Sequence, residues 1–297
     1  MKIAYLILAF KNPDQVTRLV GKLNSPGTHF FVHIDRRVNK ANYGQFVNQL
    51  GHFQNVSFIK RHNSDWGRIG CIEAILEGIR EIKRLELDYD YLIHLSGQDY
   101  PIKSNAVIRN VLQESYGMSF LNHVPIPYTN HTYIDDMINY WHIYLKQYHF
   151  IFPKEDMFAS SFLNTVWNPI ARRVKARPRL PLGYKAHYGS SYWCFTRETV
   201  EYINNFTAQH KNFVKWFAYV QFPDEFFMQT ILMNSPYATK IININHRYID
   251  FSSRKARPKI LTVEDFPKFS QTNNLFARKF DTSIDKTVLE LIDQVTE

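Results

Sequence analysis

The chain carries an unbroken apolar run, IAYLILA at residues 3–9, and the helix-start signal Asn12-Pro13-Asp14 comes soon after it. Such a run is typical of a strand that is buried on both faces of a parallel sheet. A proline with an acid beside it favours the first turn of a helix. We therefore predict a strand over residues 3–9 and a helix over residues 13–23, with four apolar residues on one face: Val16, Leu19, Val20 and Leu23.

The same alternation of strand and helix continues to about residue 125. The patterns predict further strands over 29–34, 56–60 and 91–96, and further helices over 70–85 and from Ser104 onward. This alternation predicts an α/β fold, with a Rossmann-like, mostly parallel central sheet and helices on both faces. Ligands of such sheets bind beyond the carboxyl ends of the strands. Asp35 and Asp99 each follow a strand, so each is either a ligand contact or a side chain that caps its own loop.

The composition limits the class of protein. The 297 residues are 45% hydrophobic, which is enough for a sizeable core in one large domain or two small ones. A formal charge of +9 favours an anionic partner, which leaves nucleic acid, an acidic membrane surface or a phosphorylated small molecule. Neither GxGxxG nor a Walker motif occurs, so the phosphate-binding loops of dehydrogenases and P-loop enzymes are missing. We expect Cys71 and Cys194 to be buried free thiols in a reducing compartment.

Two adjacent carboxylates stand at the start of an apolar segment, in the sequence Pro223-Asp224-Glu225. One interpretation is an N-capping pair, because acids near the first turn of a helix are stabilised by its free amide groups. Glu225 is also followed by Phe226, Phe227 and Met228. A carboxylate held against apolar surface has a raised proton affinity, which suits a general base. The residues alone leave both interpretations open.

Three other regions have an unusual composition. Residues 157–197 contain no acid and hold many cations, which indicates a solvated basic face or a contact with an anionic acceptor or an acidic membrane leaflet. The middle of the chain is rich in aromatic residues with predicted helical character, which are either core or platforms for a sugar ring. The segment FARKFD, residues 276–281, places two cations between aromatic residues.

In their order along the chain, these pieces resemble the core-2/I-branching enzyme family. That family comprises inverting β-1,6-N-acetylglucosaminyltransferases and peptide xylosyltransferases, and its fold is the GT-A type. The resemblance covers most of the chain, and seven matching segments in the right order make it specific: Ile3–Ala9, Val32–Arg37, Trp66-Gly67 with Glu73 and Ala74, Leu95–Ile102, Gly189-Ser190 with Trp193, Pro223–Glu225, and Phe276–Asp281. It implies one GT-A domain over 1–297, with a nucleotide-sugar-binding half (1–125) and an acceptor-binding half (126–297) that carries a phosphate-binding C-terminal segment.

The resemblance also implies roles for single residues. Glu225 would be the catalytic base that deprotonates an acceptor hydroxyl. Cations from the C-terminal segment would bind the leaving diphosphate in place of a metal: Lys279, with Arg257 or, as the alternative, Arg254. Val32, Asp35 and Arg37 would contact the nucleotide. The sugar and acceptor pocket would be lined by four residues: Asp99, Ser190, Trp193 and Asp224.

The expected function is that of an inverting, metal-independent glycosyltransferase with no cofactor. It would move GlcNAc or xylose from a UDP-sugar to a hydroxyl of a glycan or a lipid-linked oligosaccharide. One alternative is a metal-dependent enzyme in which Asp99 binds the metal. The single Asp-x-Asp motif, Asp88-Tyr89-Asp90, precedes the fourth strand, whereas Asp99 follows it as a lone carboxylate. The other is a non-catalytic carbohydrate-binding protein. We expect a cytoplasmic location, peripheral contact with an acidic membrane as a further hypothesis, and no nucleic-acid partner.

Overall fold

The apolar run at residues 3–9 forms a strand at the centre of the computed structural model, which describes residues 1–127, 132–145, 148–252 and 257–296. The strands are β1 (Ile3–Ala9), β2 (Thr28–Ile34), β3 (Val56–Phe58), β4 (Tyr91–Ser96), β5 (Asp99–Pro101), β6 (Ser119–Leu121), β7 (Val124–Pro125), β8 (Trp141–Leu145), β9 (Tyr148–Phe152), β10 (His187–Tyr188), β11 (Trp193–Thr196), β12 (Ile241–Ile242), β13 (Arg247–Ile249) and β14 (Phe276–Arg278).

Helices occupy most of the connections between these strands. They are α1 (Pro13–Leu23), α2 (Lys40–Leu50), α3 (Gly70–Arg84), α4 (Asn105–Glu114), α5 (Thr132–Asn139), α6 (Ser161–Arg173), α7 (Arg197–Gln209), α8 (Lys211–Trp216), α9 (Phe227–Met233), α10 (Phe266–Ser270) and α11 (Thr287–Val295). Among the described residues, none of these helices is long and apolar enough to cross a membrane.

The main sheet of the described residues has seven strands in the order β3-β2-β1-β4-β11-β6-β12. All neighbours pair in parallel except β11, which is antiparallel to both β4 and β6. Alternate residues of β1 face opposite sides: Tyr5 and Ile7 pack with α1 and α2, whereas Ala4 and Leu6 pack with α3, α7 and α9. The predicted α/β fold, with a mostly parallel sheet between two helical layers, is confirmed.

The middle of the chain differs from the sequence prediction. The aromatic region that we predicted as helical contains α5 and then an antiparallel hairpin, β8–β9. Trp141 lies opposite Phe152 and Ile143 lies opposite Phe150, and such cross-strand pairs of aromatic and β-branched residues stabilise a hairpin more than a helix. Helix α2 was not predicted, because it buries only Phe46 and Leu50 and therefore lacks an apolar stripe.

A small sheet brings the C-terminal segment to the carboxyl end of β4. Strand β14 pairs in parallel with β13 and antiparallel with β5, so that Arg278 lies opposite Asp99. The backbone N–H of Phe280 donates to the carbonyl of Gln98, at 2.9 Å. The side chain of Gln15 joins both segments, since its amide donates to the carbonyls of Gly97 (2.8 Å) and Phe280 (3.2 Å). These bonds fix residues 278–280 beside the ends of the parallel strands.

Candidate active site

A cavity of about 670 Å³ lies at the carboxyl ends of the parallel strands β1, β2 and β4. Its volume falls in the range typical of small-molecule sites, and its position is the one that ligands occupy in parallel α/β sheets. Three parts of the chain close its sides: the loop after β2, the segment before β11 together with Asp224, and the C-terminal segment that contains Arg257, Arg278 and Lys279.

The loop after β2 forms a rigid polar wall around Asp35. Its carboxylate accepts hydrogen bonds from the Arg37 guanidinium (2.9 and 3.0 Å) and from the hydroxyl and N–H of Ser64 (2.7 and 3.0 Å). Burial disfavours the ionised form, but these hydrogen bonds outweigh it and hold the pKa of Asp35 well below its usual range. Arg61 donates to the carbonyls of Ile34, Asp35 and Val38 and so fixes the loop. Asp35 is therefore ionised at neutral pH.

The C-terminal segment forms a basic wall. The Arg278 guanidinium lies 4.2 Å from the centre of the Tyr192 ring, and the Arg257 guanidinium lies 5.0 Å from that of Trp66. Burial lowers the pKa of the Lys279 ammonium, and so do its neighbouring cations, with Arg278 contributing most. Burial also lowers the pKa of Arg278, whereas Asp99 opposes that shift. Clustered cations that lose protons more easily than usual are stabilised by an anion between them, and this wall therefore suits a phosphate or diphosphate.

One acid of the carboxylate pair, Asp224, lines the same cavity. A short 3₁₀ turn, Pro223–Glu225, places the two acids before α9, and neither acid caps that helix. The Ser191 hydroxyl donates to the Asp224 carboxylate (2.7 Å), and the N–H of Gly189 donates to the Glu225 carbonyl (2.8 Å). Burial raises the pKa of Asp224. The N-capping interpretation is therefore wrong for both residues.

Glu225 has the properties of a base. Burial, and then the charge of Asp224, raise the pKa of its carboxyl to about 8. The Tyr188 hydroxyl donates a hydrogen bond to it and acts in the opposite direction. Asp224 lines the cavity, whereas Glu225 is not among the lining residues. Burial, and then the charge of Glu225, raise the pKa of Tyr133 in α5, so these two side chains lie near each other. A part-buried carboxylate with a pKa near the working pH can accept a proton from a bound hydroxyl.

His94 contributes an unpaired acceptor to the cavity lining. Its Nδ1 lies 2.9 Å from the carbonyl of Ser191, and because a carbonyl can only accept, Nδ1 carries the proton. Nε2 is therefore an acceptor, and it is buried with no hydrogen-bond partner among the described residues. Burial lowers the pKa of His94 to about 3, so the ring stays neutral. A bound hydroxyl or amide could satisfy this nitrogen.

Several predicted contacts lie behind the cavity wall. Val32 is in the core of β2, and Trp193 is 1% exposed with its ring stacked on Phe195 at 4.1 Å, so neither side chain can touch a ligand in this structure. Asp99 is fully buried, with one oxygen accepting from the N–H of Ser96 (2.7 Å) and the other 3.4 Å from the Arg278 guanidinium. The prediction of direct ligand contact is corrected for all three residues. Asp99 instead helps to position Arg278.

The remaining predicted residues divide into three groups. Asp35, Arg37, Asp224, Arg257 and Lys279 line one cavity together. The Ser190 hydroxyl accepts from the N–H of Tyr192, and the next residue, Ser191, reaches the cavity in its place. Arg254 lies outside the described residues. Four further lining residues were not predicted from the sequence: His94, Ser191, Tyr192 and Arg278, although Arg278 is one of the two cations in the segment FARKFD.

The carboxylates that the sequence offered as metal ligands have other partners in the structure. Asp99, the proposed ligand, has both oxygens turned to an N–H group and a guanidinium. Asp88, in the Asp-x-Asp, pairs with Lys2 and Arg197 before β4, at the end of the strand away from the cavity. Within the described ranges, no group of three His, Cys, Asp or Glu side chains is placed to hold a metal ion. Cys71 and Cys194 are free thiols, with Cys194 buried and Cys71 part-buried.

Comparison with known proteins connects this geometry to named relatives. The chain is similar to xylosyltransferase 2 of Mus musculus, with 23% identity over 316 residues that cover 99% of this chain and 33% of the relative. It is also similar to β-1,3-galactosyl-O-glycosyl-glycoprotein β-1,6-N-acetylglucosaminyltransferase 4 of Danio rerio, with 22% identity over 317 residues, 99% of this chain and 69% of the relative. The chain thus spans about a third of the length of the xylosyltransferases it matches.

The likeness to solved structures is weaker. The 4-diphosphocytidyl-2C-methyl-D-erythritol synthase of Anaerococcus prevotii aligns with 70% of this chain and 75% of its own, at 10% identity and a TM-score of 0.33, which supports no inference. The sequence profile of the family described as Core-2/I-Branching enzyme, in contrast, matches residues 3–270. Because that match runs through nearly the whole chain, the protein belongs to the core-2/I-branching enzyme family.

Proposed function

We propose that this protein is an inverting, metal-independent glycosyltransferase that moves a sugar from a UDP-sugar to a hydroxyl of a glycan acceptor. One observation carries the proposal: a basic wall of Arg257, Arg278 and Lys279 lines the same cavity at the strand ends as Asp224, and the residue next to Asp224 is Glu225, a carboxylate with a raised pKa. The relatives, a xylosyltransferase and a β-1,6-N-acetylglucosaminyltransferase, support the same class of reaction.

The donor would extend from the loop after β2 to the C-terminal segment. The nucleoside would lie near Asp35, where the side chains of Asn39 and Asn42 also line the cavity and offer amide hydrogen bonds. The diphosphate would lie against the basic wall. When the bond between the anomeric carbon and the β-phosphate oxygen breaks, that oxygen gains negative charge. Fixed cations aimed at this position stabilise the transition state more than the ground state.

The acceptor would enter from the side of Glu225. The carboxylate takes the proton of the acceptor hydroxyl as its oxygen attacks the anomeric carbon, on the face opposite the departing UDP. A single displacement inverts the configuration, and the products are the β-glycoside, UDP and protonated Glu225, which returns its proton to water. His94 Nε2 would accept a hydrogen bond from the transferred sugar, either from a hydroxyl or from the N–H of an N-acetyl group.

The donor sugar and the location belong to the proposal as well. GlcNAc and xylose are the sugars that the names of the relatives suggest. The acceptor would be a glycan or a lipid-linked oligosaccharide. A cytoplasmic location is proposed because two free thiols suit a reducing compartment.

A donor screen tests the reaction and its independence of metal. We expect release of UDP from UDP-GlcNAc or UDP-xylose that depends on an added glycan acceptor and is unchanged by excess EDTA. A panel with UDP-glucose and UDP-N-acetylgalactosamine provides the matched controls. Activity that EDTA removes and Mn²⁺ restores would favour the metal-dependent alternative. Tight UDP binding with no turnover over all donors and acceptors would favour a carbohydrate-binding protein.

Removal of the Tyr188 hydroxyl should change the pH dependence of the reaction. The base must be deprotonated, so we expect kcat/KM to rise with pH through about 8, the pKa of Glu225. The hydrogen bond from Tyr188 lowers that pKa, and Tyr188→Phe should therefore move the rising limb to higher pH. The measurement is kcat/KM from pH 6 to pH 10, with Tyr248→Phe, which lies on Phe269 in a different part of the core, as the control. A limb that stays in place or moves to lower pH would contradict this role.

A further inference from the structure

Helix α6 presents an apolar face that no part of the described protein covers. Phe162, Leu163, Val166 and Ile170 are 74%, 48%, 57% and 46% exposed. Residues 162, 166 and 170 follow each other at intervals of four, and residue 163 is adjacent to them, so all four lie on one side of the helix. Apolar residues scattered singly on a surface are ordinary, whereas a continuous helical face of them indicates an interaction site.

The helix is held in place by its other face. Trp167 is buried, and its ring packs on Phe150 (5.6 Å), Phe152 (4.5 Å) and Phe158 (5.7 Å). The indole N–H donates to the carbonyl of Lys154, at 2.7 Å. These contacts fix the rotation of α6 about its own axis, so the outward direction of the apolar face is a property of the folded state.

Cations follow the apolar face directly. Arg172 and Arg173 stand in the last turn of α6, and Lys175 and Arg179 come just after it, all of them exposed. Arg172 pairs with Glu155, and residues 157–197 contain no acid at all. An apolar stripe that is bordered by arginine and lysine is the pattern of a helix that lies in a membrane interface. The charge is complementary to acidic phospholipid headgroups.

Hydrogen bonds connect the residues just after α6 to the elements around Glu225. Arg177, just after α6, donates hydrogen bonds to the carbonyls of Ile138 in α5 and Trp216 in α8. The same helix α5 carries Tyr133, which lies beside Glu225. A surface that binds α6 would therefore lie near the elements that surround the proposed base.

We propose that α6 lies on an acidic phospholipid surface, with Phe162, Leu163, Val166 and Ile170 in the boundary between headgroups and acyl chains and with the following cations on the headgroups. This goes beyond the proposed function, because it concerns where the protein binds rather than what it transfers.

The test is co-sedimentation of the whole protein with vesicles, which needs neither donor nor acceptor, so it can fail while the proposed reaction holds. We expect the wild type to pellet with phosphatidylcholine vesicles that contain phosphatidylglycerol, and not with phosphatidylcholine alone. Phe162→Ser/Val166→Ser should weaken this partition by about tenfold or more, because two exposed apolar side chains lose their lipid contact. The matched control is Tyr116→Ser/Ile284→Ser, which removes two apolar residues of similar exposure elsewhere.

A second pair of variants tests the contribution of the cations that follow α6. Arg173→Glu/Lys175→Glu should weaken binding to the acidic vesicles by about tenfold, and Lys83→Glu/Lys286→Glu should leave it nearly unchanged. The Tm and the far-UV circular dichroism spectrum of each variant, compared with those of the wild type, show that it is folded. Equal binding to both kinds of vesicle, no binding, or an apolar double variant that binds as the wild type does would overturn the proposal. A wild type that is dimeric and a Phe162→Ser/Val166→Ser variant that is monomeric, without vesicle binding, would assign the face to a second copy of the chain.

Discussion

Glu225→Gln is expected to lower kcat by about 10²–10⁴-fold, the range that a positioned general base contributes, while the Kd for UDP changes little. Glutamine keeps the size of the side chain and accepts the hydrogen bond from Tyr188, but it cannot take a proton at any pH used for an enzyme. The loss therefore concerns the chemical step. The measurement is UDP release with donor and acceptor both saturating, together with calorimetric titration of UDP.

The stability of the same variant provides an independent check on the cause. The folded protein raises the pKa of Glu225 from 4.5 to about 8, so the folded state binds its proton more tightly than the unfolded state does. The ionised form is thus destabilising, and stability is lost as the pH rises from about 4.5 through 8. Glu225→Gln should raise the Tm at pH 9 relative to the wild type and leave it nearly unchanged at pH 4. Glu201→Gln, at an exposed position of α7, is the control for both measurements. A Glu225→Gln variant with most of its turnover would show that another group is the base.

Lys279→Ala is expected to weaken UDP binding by about 10–100-fold and to lower kcat/KM at least as much. A hydrogen bond to a charged group contributes about 1.5–3 kcal/mol, and each 1.4 kcal/mol corresponds to tenfold in affinity. Because the charge on the leaving oxygen grows in the transition state, kcat should fall as well as affinity. The measurements are the Kd of UDP by calorimetry and the steady-state kinetics of UDP release.

The pKa of Lys279 makes this prediction more specific. Burial and the neighbouring cations lower that pKa, so the ammonium is lost at a lower pH than in an ordinary lysine. UDP affinity of the wild type should therefore fall as the pH rises into the alkaline range, and the Lys279→Ala variant should have a flatter dependence. Lys268→Ala is the matched control, since Lys268 is in the same region but is exposed and paired with Asp265. Equal loss of affinity in the two variants would point to net charge and not to contact with the diphosphate.

The sequence predicted the elements of the fold better than the directions of the side chains. Apolar periodicity gave β1, α1 and β4 almost to the residue, because these elements lie against the sheet core. Whether a given residue near a strand end faces the cavity depends on the pleat, in which neighbours point to opposite sides. Trp193 begins β11 with its side chain in the core, and Tyr192 just before it lines the cavity. A shift of one residue similarly separates Ser190 from Ser191.

The pairing between distant segments could not be predicted from local pattern at all. Nothing in the sequence near Asp99 shows that residue 278 will lie opposite it, since the two are brought together by β14. The family resemblance predicted Lys279 and Arg257 as site residues. It did not predict Arg278 or His94, which stand out because each has a buried nitrogen without a hydrogen-bond partner among the described residues. The middle hairpin was mistaken for a helix because crowded aromatic residues satisfy both periodicities.

The pairing of β14 with β5 also has a consequence for biosynthesis. Proteins are made from the N-terminus at about 5–20 residues per second, and domains begin to fold as they leave the ribosome. The loop around Asp35 is made first, whereas Arg278 and Lys279 are translated more than 200 residues later. A nascent chain therefore has the nucleoside end of the cavity before it has the basic wall, and it should gain affinity for UDP abruptly once residues 278–280 can pair with the rest of the site.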